Sequence, residues 1–82
     1  MSAHDAAMTR MAQREISRRF LDNTRLDVKV SHGVVRIQGS VGRLRGYEVN
    51  LKHELDVINR ILRSRPGIRD VIIDVLFMDD VL

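Results

Sequence analysis

From Leu26 to Val41 apolar and polar residues alternate with a period of two, the pattern of two half-buried strands. Leu26, Val28 and Val30 share one face, with Asp27, Lys29 and Ser31 on the other. Beyond His32-Gly33 the alternation resumes, placing Val35, Ile37 and Val41 inward and Arg36, Gln38 and Ser40 outward. His32 and Gly33 read as turn residues, Gly33 for its freedom at positive φ and His32 as a tolerated neighbour. A hairpin with one apolar face is not stable alone in water, so other elements must cover that face.

The flanking sequence changes period. Ala12, Ile16 and Phe20 recur at i, i+4 and i+8 with Met8 on the shoulder, which predicts a helix over about Thr9 to Leu21, ended by Asp22-Asn23-Thr24. After Gly42-Arg43-Leu44-Arg45-Gly46, a flexible connection, a second helix is expected from about Tyr47 to Arg65. Its apolar arc is Tyr47, Leu51, Leu55, Ile58 and Leu62, opposite Lys52, His53, Asp56, Arg60 and Arg63; Glu48 with Lys52 and Lys52 with Asp56 add favourable spacings. Pro66-Gly67 stops it. A third strand follows from about Asp70 to Phe77, with Val71, Ile73, Val75 and Phe77 on one side and Ile72, Asp74 and Leu76 on the other.

The order helix, strand, strand, helix, strand is that of an α+β fold: an αββαβ two-layer sandwich, with two helices on one face of a three-stranded sheet. At 82 residues this is one domain, spanning 1–82 with its core in about 5–77. A chain of that size buries only about 60–65% of its unfolded surface. With no cysteines, neither disulfides nor thiolate metal ligands reinforce it, and no cofactor is implied.

The ordered set of Val28 and Val30, Gly33 with Val35 and Ile37, Gly39-Ser40-Val41, and Pro66-Gly67-Ile68 followed by Val71 resembles the BON family, named for bacterial osmotic-stress and nodulation proteins. The likeness runs from about Asp5 to Phe77. One departure stands out: the stretch from Val41 to Pro66 is longer than the family pattern by about two helical turns, or roughly eight residues, which implies a BON-like variant with a longer second helix. The resemblance implies a domain that binds and does not catalyse, placed in the bacterial envelope or appended to other domains and associated with phospholipid surfaces and osmotic stress. The matching residues are turn glycines and core valines, so they transfer a fold and not a binding site.

Charge adds a second layer. Fourteen Lys and Arg against eleven Asp and Glu give a net charge of +3, and twelve of the fourteen bases are Arg, whose forked donors suit phosphate and carboxylate. Two places concentrate them. In Gly42-Arg43-Leu44-Arg45-Gly46, Arg43 and Arg45 stand before a helix N-terminus where backbone N–H groups favour an anion, although the Lys-Ser/Thr ending of a P-loop is missing. Arg10, Arg14 and Arg18 form an i, i+4, i+8 row on the outer side of the first helix, with Glu15 and Asp22 at hand to neutralise it.

Catalysis finds little support. His4, His32 and His53 are scattered, and no serine sits in a nucleophile elbow. His53 and Asp56 at i, i+3 read as a surface pair and not as half of a metal site. Phe20, Tyr47 and Phe77 all fall on expected core faces, leaving no stacking platform for bases, which argues against nucleic acid. The expected function is therefore weak recognition of an anionic phospholipid or other phosphate-bearing surface through arginines. The alternative is a protein interaction or self-association module using Ile72 and Leu76 on the outer face of the third strand, with β-augmentation the natural mode if that strand lies at an edge. The first dozen residues hold no secretory apolar region and no run spans a membrane, which makes a cytoplasmic location the default expectation; the cell envelope is the expectation for a processed or excised domain.

Overall fold

A computed structural model describes residues 3–78 of the 82-residue chain. Its elements are α1 (Ala3–Ser17), β1 (Leu26–Ser31), β2 (Val34–Val41), α2 (Leu51–Arg63) and β3 (Asp70–Phe77). The sheet order is β1-β2-β3: β1 and β2 pair antiparallel, β2 and β3 parallel, so β2 is central and the other two strands are edges. This is the expected αββαβ sandwich of two layers.

The hairpin forms as the alternation requires. Val28 opposes Ile37 and Val30 opposes Val35, and on β3 Val71 and Ile73 lie beside Val35 and Ile37. Val28, Val30, Val35, Ile37, Val41 and Val71 are buried against Ala12 and Ile16 of α1 and Leu51, Leu55, Ile58 and Leu62 of α2, with Ile73 and Val75 packed at the margin. Burial of this kind contributes roughly 1.5–3 kcal/mol per large aliphatic side chain. The turn is tighter than a glycine with a passive neighbour: His32 itself takes φ 53° next to Gly33 at φ 80°, both in the left-handed region. Asp5 of α1 accepts from the His32 N–H at 3.3 Å, which ties the helix to the turn.

Gly39 lies within its strand. β2 continues to Val41, and Gly39 takes φ 115° where the chain entering β1 crosses over it. A Cβ there would lie 2.2 Å from the Arg25 carbonyl oxygen, which is held in place by the Ser40 N–H at 3.2 Å.

Both helices differ from their expected limits. α1 begins six residues before Thr9 and stops at Ser17, short of Leu21; the Ser17 hydroxyl donates to the Arg14 carbonyl there at 2.8 Å. Leu21, released from helical spacing, turns inward and is buried, and Phe20 points outward instead of joining the core. α2 begins at Leu51 and not at Tyr47, because Asn50 is its N-cap and accepts from the His53 N–H at 3.1 Å. Tyr47 and Glu48 are therefore in the preceding loop, so the Glu48–Lys52 helical pair does not form and Asp56–Arg60, at 2.8 Å, is the pair on the outer face. α2 is 13 residues, about 20 Å, and the length that the sequence assigned to a longer helix belongs to the loop at 42–50.

Substituting Gly39→Ala is expected to destabilise the fold by about 2–3 kcal/mol in urea unfolding, through backbone collision and an unfavourable φ. Gln38→Ala, one residue away and exposed, is expected to change stability by less than about 0.5 kcal/mol.

Candidate functional site

Five large apolar side chains are substantially exposed: Phe20 (51%), Tyr47 (49%), Leu76 (72%), Phe77 (45%) and Met78 (47%). The topology puts all five at one end of the molecule. β2 and β3 run parallel and finish there, α1 ends and the chain enters β1 there, and α2 starts there. The three aromatics assigned to the core by sequence are thus the three at this tip.

The tip is built by two loops clamped together. Asp22 and Gly42 form an antiparallel bridge, Asp22 N–H to the Gly42 carbonyl at 2.8 Å and the return bond at 3.4 Å. The Asp22 carboxylate accepts from the Thr24 N–H at 3.0 Å and hydroxyl at 2.7 Å, and these donors hold it below its ordinary value. In the 42–50 loop, the Tyr47 N–H donates to the Leu44 carbonyl at 3.1 Å, closing a turn with Arg45 and Gly46 at its centre. Arg43 Nε donates to the Val49 carbonyl at 2.9 Å, drawing the far side of the loop back. Tyr47 then stacks on Phe20, ring centroids 5.4 Å apart and planes at 20°. Such a pair contributes about 0.5–1.5 kcal/mol beyond the area it buries.

Gly42 to Gly46 does not run into a helix N-terminus. Residues 47–50 intervene, and the Asn50 side chain accepts from the His53 N–H, so Gly46 is separated from the start of the helix by four residues. What the loop does is bring Arg43 beside Lys52 and Phe77 on an open cleft of about 860 Å³, with Glu48 also on its wall, while Arg45 projects at the turn before the stacked rings.

The α1 row is divided. Arg10 and Arg14 lie exposed along the helix, whereas Arg18 falls just past its end and pairs with Glu15 at 3.4 Å. Glu15 is buried and is also bonded by Arg65, so it serves the packing of the helices as much as the row; Asp22 is committed to Thr24. A second buried carboxylate, Glu54, accepts from Arg19 Nε at 2.8 Å. Sequence periodicity gave no sign of either buried acid. Ile72 is half-buried and Leu76 exposed on the uncovered face of β3, which is an edge strand.

Asn50 before the first periodic leucine was a readable cap signal, and with it Tyr47 moves out of the helix and to the surface. Among the described residues no helix is long and apolar enough to cross a membrane, and no group of three or more metal-ligating side chains converges. No protein-family model matches this chain, and no curated protein sequence matches it significantly.

Because folding lowers the Asp22 pKa, its stabilisation is complete above the ordinary carboxylate value and is lost as pH falls through the lowered one. Asp22→Asn is therefore expected to lower the thermal midpoint at about pH 7, by an amount that shrinks as the pH falls through the lowered pKa.

Proposed function

We propose that this chain is a non-enzymatic, BON-like binding module that weakly recognises an anionic phospholipid surface through the arginines of its tip. The observation that carries the reading is the placement of Arg43 and Arg45 in the same clamped loop as Tyr47, whose ring is half exposed and stacked on Phe20. Aromatic side chains with a polar edge favour the headgroup layer of a bilayer, and nearby arginines add attraction to anionic lipid of about 1 kcal/mol each. The likeness in element order and turn motifs to BON domains concerns the fold, and the choice of ligand rests on the arginines and rings of the tip.

The exposed rings of Phe20 and Tyr47 also offer a stacking surface to nucleic acid, contrary to the core positions expected from sequence. A single strand would nevertheless need a basic groove leading past the rings, and the cleft beside Arg43 has Glu48 on its wall. Lipid is the better fit. Arg10 and Arg14 lie exposed along α1, outside the clamped loop, and have a secondary part in this reading.

Co-sedimentation with vesicles is the test. Binding to vesicles rich in phosphatidylglycerol, and not to neutral phosphatidylcholine, is expected, weakening as salt rises. Arg43→Gln with Arg45→Gln is expected to weaken it by about 30-fold, from two contacts of about 1 kcal/mol each; Arg10→Gln with Arg14→Gln should leave most of it. The chain has no tryptophan, so Tyr47→Trp gives an emission signal of its own, expected to shift to the blue on anionic vesicles. Failure to bind anionic vesicles at low salt, or tighter binding to a single-stranded oligonucleotide in the same buffer, overturns the reading.

A further inference from the structure

β3 reads Asp-Val-Ile-Ile-Asp-Val-Leu-Phe, apolar along the whole face toward the helices, with Ile72 and Leu76 alternating with Asp70 and Asp74 on the other. It is an edge, with no strand beyond it among the described residues. Both edge strands carry charges on the open face, Asp27 and Lys29 on β1 and Asp70 and Asp74 on β3, so what sets β3 apart is its apolar burial. β3 is poorly sealed on both sides. Facing the helices, Ile73 and Val75 are only half-buried and Phe77 is 45% exposed, whereas Val35 and Ile37 of β2 have no exposure at all. On the bare face Leu76 is 72% exposed.

The hydrogen-bonding groups of this edge define how much of it is open. The Asp70 and Met78 N–H groups donate to the Gly33 and Val41 carbonyls, and in a parallel ladder bonding residues alternate, so the even-numbered residues of β3 face β2. The odd-numbered residues direct their backbone groups outward. At Val71 both are already taken: its N–H donates to Asp70 Oδ1 at 2.9 Å and its carbonyl accepts from Arg63 Nη2 at 3.3 Å. The open segment therefore begins at Ile73 and ends with the strand at Phe77, and its midpoint is Val75.

We infer that two copies of this chain pair antiparallel through β3, with the two-fold axis at Val75, to form one continuous six-stranded sheet. The open segment is self-complementary in that register. Ile73 meets the partner's Phe77 and Val75 meets the partner's Val75, which covers the incompletely sealed side facing the helices. Asp74 meets the partner's Leu76. Centring the pair one residue earlier would set the two Asp74 carboxylates against each other, and centring it one residue later shortens the overlap. Opposed like charges disfavour the first alternative, and a two-fold pairing closes on itself without leading to a filament.

The pairing is tested in buffer without lipid, so its outcome is independent of vesicle binding. A contact of five residues per chain is small and implies a weak dimer. Sedimentation equilibrium from about 10 µM to about 1 mM is expected to show the average mass rising from the 9.4 kDa of one chain toward twice that value. The register is read by Leu76→Lys and Leu76→Asp, both at a position exposed enough to leave the fold intact. Leu76→Lys sets a cation opposite the partner's Asp74 and should tighten the dimer. Leu76→Asp sets a carboxylate there and should weaken it. Two symmetric cross-strand pairs correspond to about two- to thirtyfold in each direction. A wild-type chain that stays monomeric at 1 mM overturns the inference, as does equal weakening by both variants, which would mark a hydrophobic contact without this register.

Discussion

Parallel pairing of β2 with β3 is the constraint from which the rest of the molecule follows. Parallel neighbours cannot be joined by a tight turn, so the chain leaving Val41 must travel back along the sheet before β3 can begin. α2 makes that journey and, in doing so, brings Leu51, Leu55, Ile58 and Leu62 over the sheet beside Ala12 and Ile16 of α1. At 13 residues, about 20 Å, it is shorter than β3 with its eight residues, about 26 Å. The residues at 42–50 and 64–69 complete the crossover, and those at 42–50 help form the tip. The candidate site is thus a by-product of topology: a loop that must exist, clamped by the Asp22–Gly42 bridge and the Arg43–Val49 bond.

Several of the twelve arginines hold the structure together, and this changes what the net charge means. Arg19 pairs with buried Glu54, Arg65 and Arg18 with buried Glu15, and Arg63 with Asn59, Asp70 and the Val71 carbonyl. The Arg19–Glu54 pair is the mostly buried one, and breaking it leaves a costly uncompensated carboxylate, whereas Arg18, Arg63 and Arg65 are more exposed and their pairs are screened by solvent. Composition counts them equally with Arg45 at the loop turn. Only the structure separates an arginine paired with a buried acid from one exposed at a loop turn.

The fold was legible because its signals are periodic and redundant. Alternation in β1 and β2 is enforced by burial on one face, and a slip of one residue would expose Val28, Val35 and Ile37 together. The tip was less legible because it depends on where helices stop, which is decided by single hydrogen bonds. Extending the apolar spacing of α1 by four residues reached Phe20, but the helix had already ended at Ser17, and Leu21 took the inward place. In the same way Tyr47 fits the arc of α2 on a helical wheel, yet Asn50 caps the helix after it. Both errors place an aromatic ring in the core, and both rings are found stacked on each other at the surface. The edge position of β3 could not be read at all, since strand order depends on pairing and not on pattern.

The two proposals constrain one another through geometry. Val75 lies near the end of β3 that adjoins the tip, and an axis through it perpendicular to the sheet reverses one copy relative to the other. The Phe20–Tyr47 ends then face opposite ways from a shared centre. A single flat bilayer would meet one tip of each dimer, so pairing through β3 adds no avidity on that surface, since a gain of this kind requires both sites to engage at once. What the arrangement allows is contact with two surfaces, one at each end. Arg43 and Arg45 would then set the affinity of each contact, and the β3 edge would set how many surfaces one assembly holds.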